Sequence, residues 1–378
     1  MKRGDKNIWL LSSSSFFNDV GNEMITALLP IYLTALGGGG AALGLISGLR
    51  EGLASLLKLL GGWLSDRIGK RLGLVFFGYF ISVLLKYLVS FANSWQSLTT
   101  FVSFERAGKL RDAPRDAIIS QSTKKTGKGF GIYQFMDSSG AVIGTLLLIF
   151  LFWKFAYSFK TIAIIAAVIS SIALIPLFFV KEKKFQATKK SLFEGIHRLD
   201  KKLKYFLFVN MLFTLANFGL YMFLIVLAKE ISGSTIFALS LFAIFSLILA
   251  TGSAYFGNLS DSIGRRKILI FGYILFIAIS IGLAQLHSIF WISILFSIYG
   301  ITFAIGETIP KAIVADLSKE MKGTAIGFYH FTKGITAIAA GLIAGLIWDV
   351  NQDWMFYYLA LVAFVAIIFL IFFKETKK

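Results

Sequence analysis

Three kinds of residue are scarce in this sequence: cysteine is absent, histidine occurs three times, and charged residues make up only 15% of the 378 positions. Without cysteine the chain can form neither a disulfide nor a thiolate metal site. Three scattered histidines offer no dedicated site for a soft metal ion. Soluble proteins carry about 25% charged residues, so the shortage of charge argues against an ordinary soluble domain.

Apolar residues take the place of the missing charges, at 57% of the chain. Apolar runs recur from end to end, and each is long enough to cross a hydrocarbon core about 30 Å thick. The basic N-terminus lacks a small-residue cleavage site, so the first run is expected to be a retained span. The sequence predicts an all-α polytopic membrane protein with twelve transmembrane helices, at residues 7–36, 41–64, 72–92, 95–121, 130–152, 159–180, 205–228, 236–257, 268–286, 289–315, 325–348 and 354–373.

Basic residues are concentrated in the loops on one side of this arrangement. With the N-terminus inside, 26 Lys and Arg residues fall in inner loops, and only Lys154, Lys160 and Lys229 fall in outer loops. The positive-inside rule then places both termini in the cytoplasm, and we expect a multi-pass protein of the cell inner or plasma membrane. Because loop placement explains the net charge of +18, no nucleic acid is expected. The expected partners are the lipid bilayer and a small-molecule substrate, with the protein acting as a monomer.

Three sequence matches at nearly one offset indicate an internal repeat. The matching pairs lie 195 or 196 residues apart: Gly62–Arg71 with Gly257–Arg266, Gly131–Phe135 with Gly327–Phe331, and Pro114 with Pro310. The repeat predicts two pseudo-symmetric six-helix bundles in the same orientation. We expect an N-terminal bundle at 1–180, a cytoplasmic linker with a short amphipathic helix at 181–204, and a C-terminal bundle at 205–378.

The repeated loop, Gly-x-Leu-Ser-Asp-x-x-Gly followed by two basic residues, resembles the signature loop of the major facilitator superfamily (MFS). The resemblance covers the whole chain, in span count, loop charge and both loop copies. The stretch Glu105–Asp116 also resembles a subgroup of bacterial efflux permeases. The resemblance implies the MFS fold and a loop that latches helices together. Its gating motif would comprise Gly62, Asp66, Arg67, Gly69, Lys70 and, in the second copy, Gly257, Asp261, Gly264 and Arg265, with Ser262 replacing an arginine.

The fifth predicted span contains small residues whose spacing resembles the superfamily's antiporter motif, Gly-Pro-x-x-Gly-Gly. Gly140 and Gly144 match the pattern, whereas Ala141 replaces the proline and Thr145 replaces the last glycine. Small residues at this spacing favour tight packing against a neighbouring helix. Asp137 lies about one turn earlier and is expected to be a titrating group at membrane depth.

Charged residues inside spans cost about 2.5–3.5 kcal/mol each on insertion scales, so they normally face the interior of a bundle. Here they are concentrated in the first half of the chain, which suggests that this half carries the coupling chemistry. The predicted proton-coupling site and transport cavity comprise Asp19, Glu23, Arg50, Glu51, Arg106, Asp137, Asn217, Tyr221, Glu307 and Lys333.

Asp19 and Glu23 are four residues apart and therefore share one helix face. Two carboxylates this close cannot easily both ionise, which suits a proton-coupling site. The alternative is a structural pair neutralised by Arg50 or Arg106.

The alternating charges Arg111, Asp112, Arg115 and Asp116 in the fourth span indicate a structural network of ion pairs. Arg106 lies deeper in that span. By resemblance it corresponds to the superfamily's arginine implicated in proton coupling.

The predicted function is secondary active transport by alternating access, as proton-coupled export of a small amphipathic organic solute by antiport. Protons are the expected coupling ion, with no other cofactor. One alternative is uptake or facilitated transport of a small ion, either an organic anion or a metal cation bound by Asn18, Asp19 and Glu23. Another is a lipid scramblase or membrane enzyme. The sequence has no nucleotide-binding loop or nucleophile–base pattern, so no enzyme activity is expected.

Overall fold

The computed structural model describes residues 3–122, 126–182, 200–318 and 322–373, and every regular element in them is a helix. The first half contains α1 (Arg3–Ala35), α2 (Gly40–Ile68), α3 (Leu72–Val89), α4 (Trp95–Glu105), a 3₁₀ segment (Arg106–Arg111), α5 (Asp112–Ser122), α6 (Thr126–Phe155), α7 (Phe159–Ser171) and α8 (Leu174–Leu177). The second half contains α9 (Lys201–Ala216), α10 (Tyr221–Ser232), α11 (Thr235–Ile263), α12 (Arg265–Gln285), α13 (Ile289–Leu317), α14 (Lys322–Val350) and α15 (Gln352–Phe372).

All twelve predicted spans coincide with helical segments of the described chain. Nine of these segments are long and apolar enough to cross a membrane by length and composition alone. The other three predicted spans correspond to α1, α2 and the α4–α5 region, which carry most of the embedded charges. At 1.5 Å per residue, the 33 residues of α1 and the 29 of α2 are long enough to span a bilayer. The predicted fold class, an all-α polytopic protein with twelve spans, is confirmed.

The fourth predicted span is interrupted rather than continuous. Its α-helical segment ends at Glu105, and the 3₁₀ segment Arg106–Arg111 precedes α5. Pro114 contributes, because proline has no N–H to donate to the carbonyl of Leu110 and its ring crowds that carbonyl. The matching Pro310 lies inside the continuous helix α13, so proline alone does not account for the interruption. Gly61 on α2 packs directly against this carbonyl, where a Cβ would lie 2.0 Å from the oxygen. A 3₁₀ stretch inside a helix often marks a hinge or a strained sequence.

The seventh predicted span is also divided, into α9 and α10. The α9 helix ends at Asn217, whose backbone N–H donates to the carbonyl of Phe213 at 2.8 Å. Two residues later Gly219 approaches α2 so closely that a Cβ would lie 2.0 Å from the Ser47 hydroxyl oxygen. The absence of a side chain at Gly219 therefore permits this close contact at the break.

The described residues pack into two compact units. Unit 1 is drawn from residues 1–32 and 53–190, and unit 2 from residues 33–52 and 191–378. Residues 33–52, which the sequence assigns to the N-terminal bundle, therefore pack within unit 2. The bundle boundaries at 1–180 and 205–378 stay predictions. The linker helix expected within 181–204 falls largely on residues 183–199, outside the described residues.

Within unit 2, the first half of α2 packs against α14 through glycines spaced four residues apart. A Cβ at Gly44 would lie 1.8 Å from the carbonyl oxygen of Gly341, and one at Gly40 would lie 2.7 Å from that of Gly345. The carboxylate of Asp349, near the end of α14, accepts hydrogen bonds from backbone N–H groups at the start of α2, including that of Ala41 at 2.8 Å. Small residues and a capped helix end thus hold these two helices in backbone contact.

Candidate functional site

A buried and a half-buried aspartate meet inside unit 1, Asp19 on α1 and Asp137 on α6. The hydroxyl oxygen of Ser15 lies 2.6 Å from a carboxylate oxygen of Asp137 and 3.2 Å from one of Asp19. The hydroxyl of Tyr133 donates to the same Asp137 oxygen at 2.8 Å and lies 2.9 Å from Ser15. Asp19 is only 9% exposed. Four polar groups from α1 and α6 therefore share two hydroxyl hydrogens and whatever proton the carboxyl groups hold.

The small residues of α6 explain how Asp137 reaches α1. A Cβ at Gly140 would lie 2.6 Å from the carbonyl oxygen of Phe16, and one at Gly144 would lie 2.3 Å from that of Val20. Only glycine permits this approach of α6 to α1. The tight packing expected from the small-residue spacing of the fifth span is present, and it places Asp137 beside Asp19.

A buried lysine lies on the other side of Asp19. The ammonium of Lys86 on α3 donates to the side-chain oxygen of Asn18 at 2.8 Å, and the amide nitrogen of Asn18 lies 3.4 Å from a carboxylate oxygen of Asp19. Lys86 is 1% exposed and lies 3.7 Å from Glu105, which also accepts a close hydrogen bond from the hydroxyl of Ser82. Burying an ammonium so completely requires charged and hydrogen-bonding partners.

Arginine side chains from the fourth span border this cluster. The guanidinium of Arg111 stacks on the ring of Tyr79, and that of Arg115 stacks on the ring of Tyr133, each 4.2 Å from the ring centroid. Arg115 also donates to Asp112 at 3.1 Å. Because cation–π contacts and ion pairs hold both guanidinium groups in place, the ion-pair network expected in the fourth span is present in the structure.

Two residues predicted for the unit 1 site lie to one side of the aspartate pair. Arg106 begins the 3₁₀ segment, with its guanidinium 3.6 Å from the carboxylate of Glu105. Glu23 is half-buried one turn beyond Asp19 on α1. Asp19 thus lies close to Asp137 on α6, through their shared contact with Ser15. Within the part of the chain that the structure describes, no group of three or more acidic or histidine side chains is arranged to hold a metal ion.

In unit 2 the embedded charges form a compact ion-pair cluster. Lys333 on α14 makes a close ion pair with Glu307 on α13, and its ammonium lies 3.5 Å from the carboxylate of Glu51 on α2. Glu307 also accepts from Lys311 at 3.1 Å. Lys333 is 12% exposed and Glu307 28%. The structure therefore brings together three of the predicted cavity residues. Arg50, the neighbour of Glu51, is buried.

Asn217 and Tyr221 also belong to unit 2, where both contact aromatic side chains. The hydroxyl of Tyr299 donates to the side-chain oxygen of Asn217 at 2.6 Å. The ring of Tyr221 packs against Phe242 and Phe303, with centroids 5.7 Å and 6.4 Å away. Aromatic rings at these separations are typical of a packed hydrophobic wall.

The first copy of the gating motif closes α2 with a tight turn. Gly69 has a φ of 71°, in the left-handed region that favours glycine. Gly62 packs against α5, where a Cβ would lie 3.2 Å from that of Ala113. The guanidinium of Arg67 lies 5.1 Å from the centroid of the Trp63 ring, and Lys70 is exposed. The side chain of Asp66 lies outside the described part.

The second copy repeats this geometry at the end of α11. Gly264 has a φ of 106°, and a Cβ at Gly257 would contact Thr308 on α13 at 3.4 Å. Arg265 forms ion pairs with Asp261 at 3.2 Å and with Asp316 at 3.1 Å. Both copies therefore pack the end of one helix against a later helix of the same unit, α5 in the first copy and α13 in the second.

Sequence reasoning missed four members of the unit 1 cluster as site residues: Ser15, Tyr79, Lys86 and Tyr133. The repeat offset offered a signal for the tyrosines, since Tyr133 and Tyr329 are 196 residues apart and Tyr79 and Tyr273 are 194 apart. All four tyrosines are buried. No comparable signal marked Ser15, because serine is common in transmembrane helices and its role depends on which helices pack against it.

The family model of the Major Facilitator Superfamily matches residues 11–233 and 206–378. The chain belongs to the major facilitator superfamily. It is similar to an uncharacterised MFS-type transporter of Methanocaldococcus jannaschii, with 41% identity over 97% of this chain and 94% of that protein. It is also similar to the multidrug resistance protein MdtH of Proteus mirabilis, with 26% identity over 85% of this chain and 82% of that protein.

Solved structures of MFS transporters share the fold. The nucleoside transporter NupG, in a mutant form, superposes with a TM-score of 0.84 at 13% identity, covering 97% of this chain and all of that one. At so low an identity the likeness shows the fold alone. As an MFS protein, this chain is a multi-pass membrane transporter, and its polar clusters in units 1 and 2 lie in the spans of a transporter fold.

Proposed function

We propose that this MFS protein is a secondary active transporter that exports a small amphipathic organic solute in exchange for protons, with Asp19 and Asp137 as the proton-holding pair. The observation that carries the proposal is the meeting of one buried and one half-buried carboxyl group at the Ser15 hydroxyl. Two carboxylates that both contact one hydroxyl group lie close together, and they repel each other strongly in a low-dielectric interior. The pair is most stable when it holds one proton, and release of that proton changes the charge inside unit 1.

A single hydroxyl hydrogen on Ser15 supports this interpretation. Ser15 can donate to only one of the two carboxyl groups at a time, and Tyr133 already donates to Asp137. A proton between the carboxyl groups supplies the missing donor. The stacking of Arg115 on Tyr133 fixes the phenol ring, so the pair is held by rigid neighbours rather than by mobile ones.

Alternating access requires helices that can part and close again. The contact of α2 with α14 suits this role, because glycine backbones meet there and few side chains must interlock or separate. The carboxylate of Asp349 holds the first turn of α2 and can release it at the cost of a few hydrogen bonds. The sequence predicts that these helix ends face the outside.

Export of an organic solute is supported by the relatives and by the aromatic wall of unit 2. Proteins similar along most of the chain carry the name multidrug resistance protein. Tyr221 and Phe303 present partly exposed rings, which suit an amphipathic solute. We propose no further cofactor, and we expect the protein to work as a monomer in the cell membrane with both termini in the cytoplasm.

The test is proton movement in proteoliposomes that contain a trapped pH-sensitive dye. Ethidium, chloramphenicol and uridine are added in turn under an imposed pH gradient. We expect at least one solute to provoke proton flux in the wild type. Asp19→Asn and Asp137→Asn should reduce that flux at least tenfold, because neither variant can share an exchangeable proton between two carboxyl groups.

Asp353→Asn is the matched control, because it removes an acid at the start of α15 that contacts His287 at 2.9 Å, away from the aspartate pair. It should leave proton flux unchanged. Solute movement that ignores the pH gradient, or that survives in both aspartate variants, would contradict proton coupling. Solute movement in the direction of uptake would contradict export, but it would not contradict the role of the aspartate pair in proton coupling.

A further inference from the structure

Lys86 is the most completely buried lysine in the described part of the chain, and proton exchange at the aspartate pair does not by itself require it. Its ammonium contacts Asn18 at 2.8 Å, Ser82 at 3.1 Å and Glu105 at 3.7 Å. The nearest of these partners is a neutral amide oxygen, not the carboxylate. The ammonium therefore interacts more closely with α1 than with its salt-bridge partner on α4.

Asn18 joins this lysine to the aspartate pair. Its side-chain oxygen accepts from Lys86 at 2.8 Å and lies 3.3 Å from the hydroxyl oxygen of Ser82, while its amide nitrogen lies 3.4 Å from a carboxylate oxygen of Asp19. The single hydroxyl hydrogen of Ser82 is donated to Glu105. Asn18 is 1% exposed, so these contacts are shielded from bulk solvent. One amide thus has the ammonium at its oxygen end and the carboxyl group at its nitrogen end.

An amide that is hydrogen-bonded at both ends is polarised by both neighbours, so a change of charge at one end alters the strength of the hydrogen bond at the other. When Asp19 is ionised, it draws on the Asn18 N–H, and the Asn18 oxygen becomes a better acceptor for Lys86. When Asp19 is protonated, that acceptor weakens, and Glu105 becomes the stronger partner for the ammonium. Lys86 would then favour α4 over α1.

Other charged groups surround the two ends of this bridge. Asp19 faces Asp137 and Tyr133 from α6 and Tyr79 from α3. Lys86 faces Glu105 from α4. The positive charges of Lys109 and Arg111 in the 3₁₀ segment interact electrostatically with both Asp19 and Lys86, and that of Arg115 on α5 interacts with Asp137. These bases are the same whichever way Lys86 turns, so the amide is the element that distinguishes the two arrangements.

We propose that Asn18 couples Lys86 to the proton of the Asp19–Asp137 pair, so that the lysine and the two aspartates act as one proton-responsive unit that spans α1, α3 and α6. Asn18 is the positioning residue of this unit. The proposal rests on the proposed role of the aspartate pair in holding a proton. It adds that loss or gain of this proton redistributes Lys86 between α1 and α4, next to the 3₁₀ interruption of the fourth span.

The test measures the infrared carbonyl stretch of protonated carboxyl groups in purified full-length protein as a function of pH. The band of the pair is identified as the part lost in Asp19→Asn and Asp137→Asn. In Lys86→Met we expect the band to persist to a pH about one unit higher, a tenfold change in proton concentration, because a nearby cation no longer favours the ionised form. Lys86→Arg, which keeps the charge, should restore most of the wild-type profile.

The deciding measurement is the same substitution in an Asn18→Ala background. If the amide carries the coupling, Lys86→Met should there shift the band by less than half as much. Lys160→Met serves as the control, because Lys160 is exposed and contacts Asn93 at 2.6 Å, and it should shift nothing. Circular dichroism and size-exclusion profiles establish that each variant is folded. If Lys86→Met does not fold, the comparison of Lys86→Arg with and without Asn18→Ala takes its place.

The outcomes separate the two proposals. A wild-type protein without the band at any pH would overturn the proton-holding pair itself. A band that shifts equally in both backgrounds would show that Lys86 acts through space, and would overturn the role of Asn18 while leaving the pair intact. A band that does not respond to Lys86→Met would overturn the coupling altogether.

Discussion

Unit 1 carries a largely buried polar cluster and unit 2 a partly buried one at repeat-related positions, and the signs of the charges at matching positions are reversed. Asp137 and Lys333 are 196 residues apart, as are Arg111 and Glu307, so an acid and a base exchange places between the repeats. In unit 1 two acids meet at one hydroxyl. In unit 2 Lys333 is neutralised directly by Glu307. The same helical framework thus brings two acids together in one unit and pairs an acid with a base in the other.

The tyrosines show what the framework has in common. Tyr133 and Tyr329 occupy matching positions on α6 and α14, and both are buried. The hydroxyl of Tyr133 contacts Asp137 and Ser15, whereas that of Tyr329 has no hydrogen-bond partner among the described residues. Lys333 stands at the position that matches Asp137, and its ammonium group offers no acceptor to this hydroxyl. A shared position therefore does not imply a shared role.

The largest expected effect on stability distinguishes the Lys333–Glu307 ion pair of unit 2 from the Asp19–Asp137 pair of unit 1. Lys333→Met should lower the free energy of unfolding by about 2–3 kcal/mol, since it leaves a partly buried carboxylate without its closest partner. Lys311, 3.1 Å from Glu307, keeps the loss from being larger. Asp137→Asn should cost less than about 1 kcal/mol, because the amide can still bond to Ser15 and Tyr133.

Denaturant titration in detergent, followed by tryptophan fluorescence, measures both changes. The double variant Lys333→Met with Glu307→Gln should recover most of the lost stability, because the stranded charge is then gone. Equal losses for Lys333→Met and Asp137→Asn would mean that the two clusters are held by the same kind of interaction, and the contrast between the units would not stand.

The next effect compares the two matching tyrosines. Tyr133→Phe removes a hydroxyl that donates at 2.8 Å and should cost about 1 kcal/mol of folding free energy. Tyr329→Phe removes a buried hydroxyl that makes no described hydrogen bond, so it should be neutral or slightly stabilising. The same titration measures both. Destabilisation by Tyr329→Phe of the size seen for Tyr133→Phe would show that the Tyr329 hydroxyl has a partner after all.

The spans and their approximate ends could be predicted because a bilayer forces the backbone to satisfy its own hydrogen bonds within each apolar run. The interruption at Arg106–Arg111 could not, since a proline in a helix is compatible with a kink as well as a break. The pairing of Asp19 was also beyond the sequence. Spacing of four residues places Glu23 on the same helix face, but the neighbour of Asp19 is decided by Gly140 and Gly144, which let α6 approach α1.

Cavity residues in unit 2 were easier to place. A charged residue in an otherwise apolar span needs a partner, and Glu307 and Lys333 are among the few candidates in the second half. Their ion pair could be predicted because few other embedded charges in the second half are available as partners. The first half has so many embedded charges that the sequence does not indicate which of them pair. The packing of α1, α3 and α6 determines which charges meet.

The smallest expected effect lies in the two copies of the gating motif. Arg67→Ser removes a guanidinium 5.1 Å from the Trp63 ring, and at an exposed site this contact contributes only about 0.5 kcal/mol. Ser262→Arg in the second copy should change stability by less than about 0.5 kcal/mol, because Ser262 is exposed and bonds only to the carbonyl of Leu259 among the described residues. The rate of solute transport distinguishes the two copies more clearly than stability does. If Arg67 latches helices as the family resemblance implies, Arg67→Ser should alter the transport rate far more than it alters stability, whereas Ser262→Arg should alter neither. Parallel changes in transport and stability for Arg67→Ser would reduce its role to local packing, and the two copies would then differ in sequence without differing in function.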